Sequence, residues 1–182
     1  MSLRLVADTV PSAVEAGLKL LDRRAFTATQ MREHLRDQGF DSDAVADAVA
    51  VFVERGWLDD SAYADVLLSE KVSRPGVSRA KIVANMQKRG LEAAVIEETL
   101  EAYERERPNW EQDNAITFLR SRAAGLYAKV DPGIPAELSK LRAKLWRYLA
   151  SRGFPSEMCT QVVRQVLDEL ETLGGEYGAS AE

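Results

Sequence analysis

The sequence predicts an all-α protein: three tandem three-helix repeats, helix-turn-helix-like, forming an elongated, curved modular rod. Two observations carry this. A helix, a glycine and a second helix recur at Leu35-Arg36-Asp37-Gln38-Gly39-Phe40, Met86-Gln87-Lys88-Arg89-Gly90-Leu91 and Leu149-Ala150-Ser151-Arg152-Gly153-Phe154. No segment shows the sustained alternation of a strand. Four residues before each glycine stands Leu35, Met86 or Leu149, and eight before it Met31, Ile82 or Leu145. Those offsets trace one helical face, and glycine at the end of such a run is a common helix stop. Self-similar helical units of this kind stack, and stacked units make binding surfaces more often than catalytic pockets.

The first repeat spans residues 11–56. Its first helix starts near Pro11, with Ser12 as cap, and ends about Arg24. Thr27 or Thr29 starts the second, which runs to Gln38. The Asp41-Ser42-Asp43 cluster opens the third, since side-chain oxygens and negative charge both suit a helix N-terminus. The second repeat spans 57–107. Ser61 or Asp60 caps a helix to about Val72, and Arg74-Pro75-Gly76-Val77 is a loop because proline and glycine together interrupt a helix. Ser78 caps the next helix, to Arg89, and a third runs from about Glu92 to Glu106. The third repeat spans 108–173, with helices at about 110–128, 136–152 and 156–173; residues 174–182 read as a small, polar, flexible tail.

Composition narrows the class. The 182 residues are 46% hydrophobic and 29% charged, ample for a helical core. No apolar run approaches the ~20 residues of a membrane span, and the N-terminus lacks a secretory pattern, so a cytoplasmic protein without membrane contact is expected. The one cysteine, Cys159, excludes an internal disulfide and lies on an apolar helical face, where it reads as a buried small hydrophobe. His34, the lone histidine, has no catalytic partner at a telling spacing. Asp59-Asp60 with Glu70 suggests a metal less well than a helix cap. No phosphate-binding glycine loop of the G-x-x-x-x-G-K-[ST] type occurs. The expectation is a non-enzyme with no metal and no cofactor.

Charge is distributed in blocks. The net charge is −5, yet residues 71–90 carry Lys71, Arg74, Arg79, Lys81, Lys88 and Arg89 with no acid. Residues 120–152 hold eight Lys/Arg against Asp131 and Glu137 alone, while the segments 37–70, 91–113 and 153–182 are acidic. Lys81, Asn85, Lys88 and Arg89 fall on one side of the second repeat's middle helix. Lys140, Lys144 and Arg147, extended by Arg152, form a similar stripe in the third. Gln30, His34 and Gln38 replace these positions in the first repeat. Either a phosphate backbone or an acidic protein surface satisfies such stripes. Glu97, Glu98, Glu101 and Glu104 read as a solvated face. The aromatics Phe40, Phe52, Trp57, Tyr63, Tyr103 and Phe154 sit where helices meet and are expected in the core. Trp110 is placed to seal a repeat boundary, and of Trp146 and Tyr148 one is expected at the surface.

The run Gly56-Trp57-Leu58-Asp59-Asp60-Ser61-Ala62-Tyr63-Ala64 resembles the RecX family of recombination regulators. The likeness continues through Ser69-Glu70-Lys71, the Arg74-Pro75-Gly76 loop and Ala80-Lys81-Ile82 to Lys88-Arg89-Gly90-Leu91, and extends over about residues 13 to 170. It implies three tandem three-helix repeats that bind the RecA recombinase filament and lower its ATPase, strand-exchange and co-protease activities. It also implies contact with DNA and no catalytic centre; separately, a monomer is expected. The candidate recombinase- or DNA-binding residues are Lys71, Arg74, Arg79, Lys81, Lys88, Arg89, Lys140, Lys144, Arg147 and Arg152. The alternative reading is a helix-turn-helix-like protein acting directly on DNA.

Overall fold

A computed structural model describes residues 12–131 and 133–178, and among them it contains nine α-helices and no strand. The first three are α1 (Ala13–Leu21), α2 (Ala28–Asp37) and α3 (Ser42–Glu54). They are followed by α4 (Asp60–Val72), α5 (Arg79–Lys88) and α6 (Ala93–Glu106), then α7 (Trp110–Tyr127), α8 (Pro135–Ala150) and α9 (Ser156–Gly178). This is the expected all-α repeat. Ser12 and Thr27 each close a reciprocal capping box, with Glu15 and Gln30. Asp41 caps α3 through the backbone N–H groups of Asp43 and Ala44. The glycines that end the middle helices take positive φ: +90° at Gly39, +76° at Gly90 and +82° at Gly153, a conformation L side chains disfavour. After each, a backbone N–H turns back to the helix: Phe40 to Leu35 O, Leu91 to Met86 O and Phe154 to Leu149 O. The inward faces named from the sequence are sealed, with Met31, Leu35, Ile82, Met86, Leu145 and Leu149 all at 0% exposure.

Three expectations are corrected. The helix read as ending at residue 173 continues to Gly178; glycine lowers helix propensity but stops a helix only where the chain leaves helical dihedrals. Residues 179–182 of the expected tail, like Pro11 at the other end, lie outside the described residues. Trp57 is 48% exposed rather than buried, leaning on Phe52 at the edge of the first core. Neither Ser61 nor Asp60 caps α4: Asp59 does, accepting from Ala62 N at 2.9 Å. The carboxylate of Asp60 instead accepts from Ala28 N at 2.8 Å, at the start of α2.

The chain forms two compact units that do not coincide with the repeats. One takes the chain up to Asp65 together with Met86–Ile96; the other takes Val66–Asn85 and everything from Glu97 onward. The helices of the middle repeat therefore contribute to both. In the first unit the core gathers Phe26, Met31, Leu35, Val49, Phe52 and Leu58. In the second, Phe118, Leu119, Leu145, Leu149, Cys159 and Val163 belong to one cluster drawn from α7, α8 and α9.

The same seam is built once in each unit. In the first, the hydroxyl of Thr27 accepts from Gln30 N at 3.1 Å and donates to Arg89 O at 2.7 Å. In the second, the hydroxyl of Ser78 accepts from Lys81 N at 3.3 Å and donates to Arg152 O at 2.7 Å. Both hydroxyl-bearing residues are fully buried. Each therefore caps its own helix and satisfies a carbonyl at the C-terminal end of the following repeat's middle helix, two orphan groups met by one side chain. The glycines beside those carbonyls let the backbones approach. A Cβ at Gly90 would lie 2.6 Å from that of Thr29, and one at Gly153 would lie 3.0 Å from the Ser78 hydroxyl.

Candidate partner-binding surface

The ten basic residues singled out from the sequence divide by what they touch. Arg79 is committed to structure. Its Nε donates to Glu104 at 2.9 Å and its Nη2 to Glu97 at 2.6 Å, while its backbone N–H donates to Glu111 at 2.8 Å. Glu97 and Glu104, read as a solvated face, are thus the anchor of a cation. Burial pushes the Glu111 carboxyl above its ordinary value, and nearby Glu104 adds to the rise against the opposing pull of the Arg79 backbone bond. Lys71 and Arg74 share Glu70, at 3.2 and 3.6 Å. Arg89 is half-buried and donates to the Tyr63 hydroxyl. Arg152 is half-buried as well: its Nη1 donates to Gly76 O at 3.0 Å and its guanidinium lies 4.1 Å from the Phe118 ring centroid.

The remaining five, Lys81, Lys88, Lys140, Lys144 and Arg147, are exposed and have no ion pair among the described residues. Asn85, expected on the outer stripe of α5, is instead half-buried, and its Oδ1 is buried without a partner. It stands three residues from Ile82 and one from Met86, at the border of the inward face. The outward stripe of α5 is therefore Lys81 and Lys88, seven residues apart and two helical turns along one face. In the second unit the start of α5 meets the turn that follows α8: a Cβ at Gly153 would lie 3.8 Å from Lys81 Cγ. Lys81 thus lies beside the turn that follows the Lys140–Lys144–Arg147 helix.

The loop between α4 and α5 is held by Asn114 of α7. Its carbonyl accepts from the backbone N–H groups of Gly76 and Val77, and its amide donates to the carbonyls of Val72 and Arg74. One side chain fixes the whole turn. Nothing in the spacing of residues 72–77 announces a partner on the next repeat's first helix. Trp110 is 7% exposed and packs edge-on against Tyr103, closing the junction of α6 and α7 as expected. Trp146 and Tyr148 are both half-buried. His34 lies edge-on to Phe26 at 5.1 Å, with Arg24 beside it. Cys159 is fully buried, and burial raises its thiol above the ordinary value, which suits a packing role. Among the described residues no group of three His, Cys, Asp or Glu side chains is placed to hold a metal, and no helix is long and apolar enough to cross a membrane.

Repeats of three helices joined through buried caps define a helical-repeat protein, here with exposed cations that have no ion pair among the described residues. Family models agree in detail: the first three-helix domain of RecX matches residues 13–50 and the third matches residues 119–163. The regulatory protein RecX of Chlorobaculum tepidum is 30% identical over 158 residues, covering 87% of this chain and 90% of that protein. That of Pasteurella multocida is 30% identical over 145 residues, covering 79% and 81%. The crystal structure of RecX from Lactobacillus salivarius superposes with a TM-score of 0.70 over 88% of this chain and 95% of that one, at 17% identity, a likeness of fold. The chain belongs to the RecX family of regulatory proteins.

Proposed function

We propose that this protein restrains recombination by binding the RecA recombinase filament and lowering its ATPase, strand-exchange and co-protease activities. The observation that supports this most is the set of exposed cations Lys81, Lys88, Lys140, Lys144 and Arg147 on the middle helices of a RecX-family repeat, free of internal ion pairs among the described residues. No carboxylate among the described residues claims those side chains, unlike Arg79, so their charge is available to a partner. The mechanism is mass action: a monomer that binds one filament state better than another shifts the population toward it. No chemistry is required of its own residues. DNA contributes a salt-dependent share; if about four cations neutralise phosphates, log K falls with log salt at a slope of roughly −3 to −4. The protein works in the cytoplasm, a reading that its single buried thiol supports.

The test adds purified protein to preformed recombinase filaments on single-stranded DNA and follows ATP hydrolysis and filament length together. Dose-dependent loss of hydrolysis supports the proposal. Unchanged hydrolysis at saturating protein refutes it.

A further inference from the structure

We propose that the groove between α7 and α8 is a site for single-stranded nucleic acid, with Tyr148 as the stacking surface and Arg122, Lys129, Lys140, Lys144 and Arg152 as the phosphate partners. The inference rests on the regulatory function proposed above and deepens it, because it gives that regulator's DNA contact a location; it also brings in Arg122 and Lys129, which the two sequence stripes omit.

Two adjoining clefts make the groove, about 470 Å³ and about 420 Å³ in volume, and Leu126 lines both. Each is of the size that holds a small organic ligand. The first is walled by Phe118, Arg122, Tyr148, Ser151 and Arg152. The second brings Lys129, Lys140 and Lys144 around Val130 and Leu141, with Glu137 the one acid. That carboxylate already accepts from Asp131 N at 3.0 Å. None of the five cations has an ion pair among the described residues.

The two guanidinium groups are set in place before any ligand arrives. Both lie against the Phe118 ring, Arg122 at 3.9 Å from its centroid and Arg152 at 4.1 Å. Arg122 is tethered through Nη1 to Phe118 O and Ser121 Oγ, and Arg152 through Nη1 to Gly76 O. Among the described residues only one nitrogen of each is occupied, so the other N–H groups remain to meet a phosphate. A planar fork already fixed in position loses less entropy on binding than a free side chain.

Residues 140, 144 and 148 are four apart on α8, hence about 6 Å apart along its axis, comparable to one step of an extended nucleotide chain. Two cationic positions are therefore followed by one aromatic, with Arg152 just beyond the helix, along a floor of Leu126, Val130 and Leu141. A single strand offers both a phosphate and an unpaired base face at each step. A duplex withholds the base face, and an acidic peptide has carboxylates but no flat aromatic face at every step.

Fluorescence anisotropy of a labelled oligothymidylate, with the full chain and no recombinase, tests the site. Tyr148→Ala is expected to weaken binding about 5- to 150-fold, the range of one base stacked on an aromatic ring, with the salt slope unchanged. Lys129→Glu with Lys144→Glu, both at exposed positions, should shrink that slope by about 1.4. Tyr148→Phe, which keeps the ring, should bind as the wild type does and covers the case in which alanine disturbs packing. An abasic oligonucleotide of the same length should bind as weakly to the wild type as oligothymidylate does to Tyr148→Ala. Wild-type affinity in both the alanine variant and the lysine double variant overturns the proposal, as does equal affinity for abasic and thymidylate chains. Polyglutamate that displaces the oligonucleotide at equal charge concentration also overturns it, in favour of an acidic protein ligand. If the protein inhibits the recombinase yet fails to bind oligothymidylate, the groove assignment falls and the regulatory function stands. If it binds oligothymidylate through Tyr148 yet leaves the recombinase unaffected, the groove stands and the regulatory function falls.

Discussion

Replacing Ser78 with alanine removes two hydrogen bonds made by one oxygen. The first is the N-cap of α5, from Lys81 N at 3.3 Å; loss of such a cap costs about 1 kcal/mol. The second is the donation to Arg152 O at 2.7 Å, which leaves a carbonyl at the seam without its partner, for about 1 kcal/mol more at a part-buried site. The expected loss is about 2 kcal/mol. At roughly 2–4 °C per kcal/mol for a chain of this size, the melting temperature should fall by about 4–8 °C. Ser78→Gly separates the two contributions, because glycine at an N-cap costs only a few tenths of a kcal/mol while the seam bond is still lost. Urea unfolding followed by circular dichroism should therefore rank wild type above glycine and glycine above alanine. Two variants within about 0.5 kcal/mol of wild type, below the cost of an ordinary cap, would refute the claim that the buried hydroxyl ties the repeats.

Gly76→Ala faces a φ of +86° and drives its new Cβ into the Phe118 ring. It should cost about 2–4 kcal/mol by thermal melting, combining left-handed strain with overpacking. Glu111→Gln keeps an acceptor for Arg79 N and removes a charge that burial disfavours. A raised carboxyl contributes stability below its unfolded value, lost as pH rises through the folded one. The glutamine variant should therefore melt no lower than wild type at pH 7, whereas Glu111→Ala, which lacks the acceptor, should melt lower. Glu169 runs the other way: its hydrogen bonds from Arg120, at 2.8 and 2.9 Å, hold its carboxyl below the ordinary 4.5. Its contribution is present above that pH and lost as pH falls through the lowered folded value. It is small because the pair is largely exposed. Arg120→Ala should thus lower the melting temperature slightly at pH 7 and not at pH 2.

Helix positions and inward faces were legible because they are local. Met31, Leu35 and their counterparts follow from spacing alone, and Thr27 and Ser78 are recognisable as caps from the residue types that begin helices. The second bond of each cap was not legible, since its acceptor lies 62 or 74 residues further on. The same holds for the four bonds of Asn114 and for the carboxylates that claim Arg79. A stripe of cations reads identically in sequence whether or not acids from another helix lie against it. Arg79 and Lys81 differ by two positions and by everything that surrounds them. Asn85 shows a further limit: helical offsets place a residue within an arc of the surface, and a position on the border of the inward face can fall to either side. Arg122 and Lys129 are legible only as part of the basic block 120–152, because they belong to α7 and the residues just after it, outside the stripes of the middle helices. Their relation to α8 arises only when the two helices pack.

The most direct test is a titration of recombinase ATPase on single-stranded DNA with wild type, Lys81→Glu/Lys88→Glu and Lys144→Glu/Arg147→Glu. All three proteins should give the same circular dichroism, since these side chains form no ion pair among the described residues. Wild type should suppress hydrolysis, and each double variant should need at least about tenfold more protein, equivalent to about 1.4 kcal/mol of lost binding. Folded variants that inhibit as strongly as wild type would show that the exposed cations of α5 and α8 are not the binding surface.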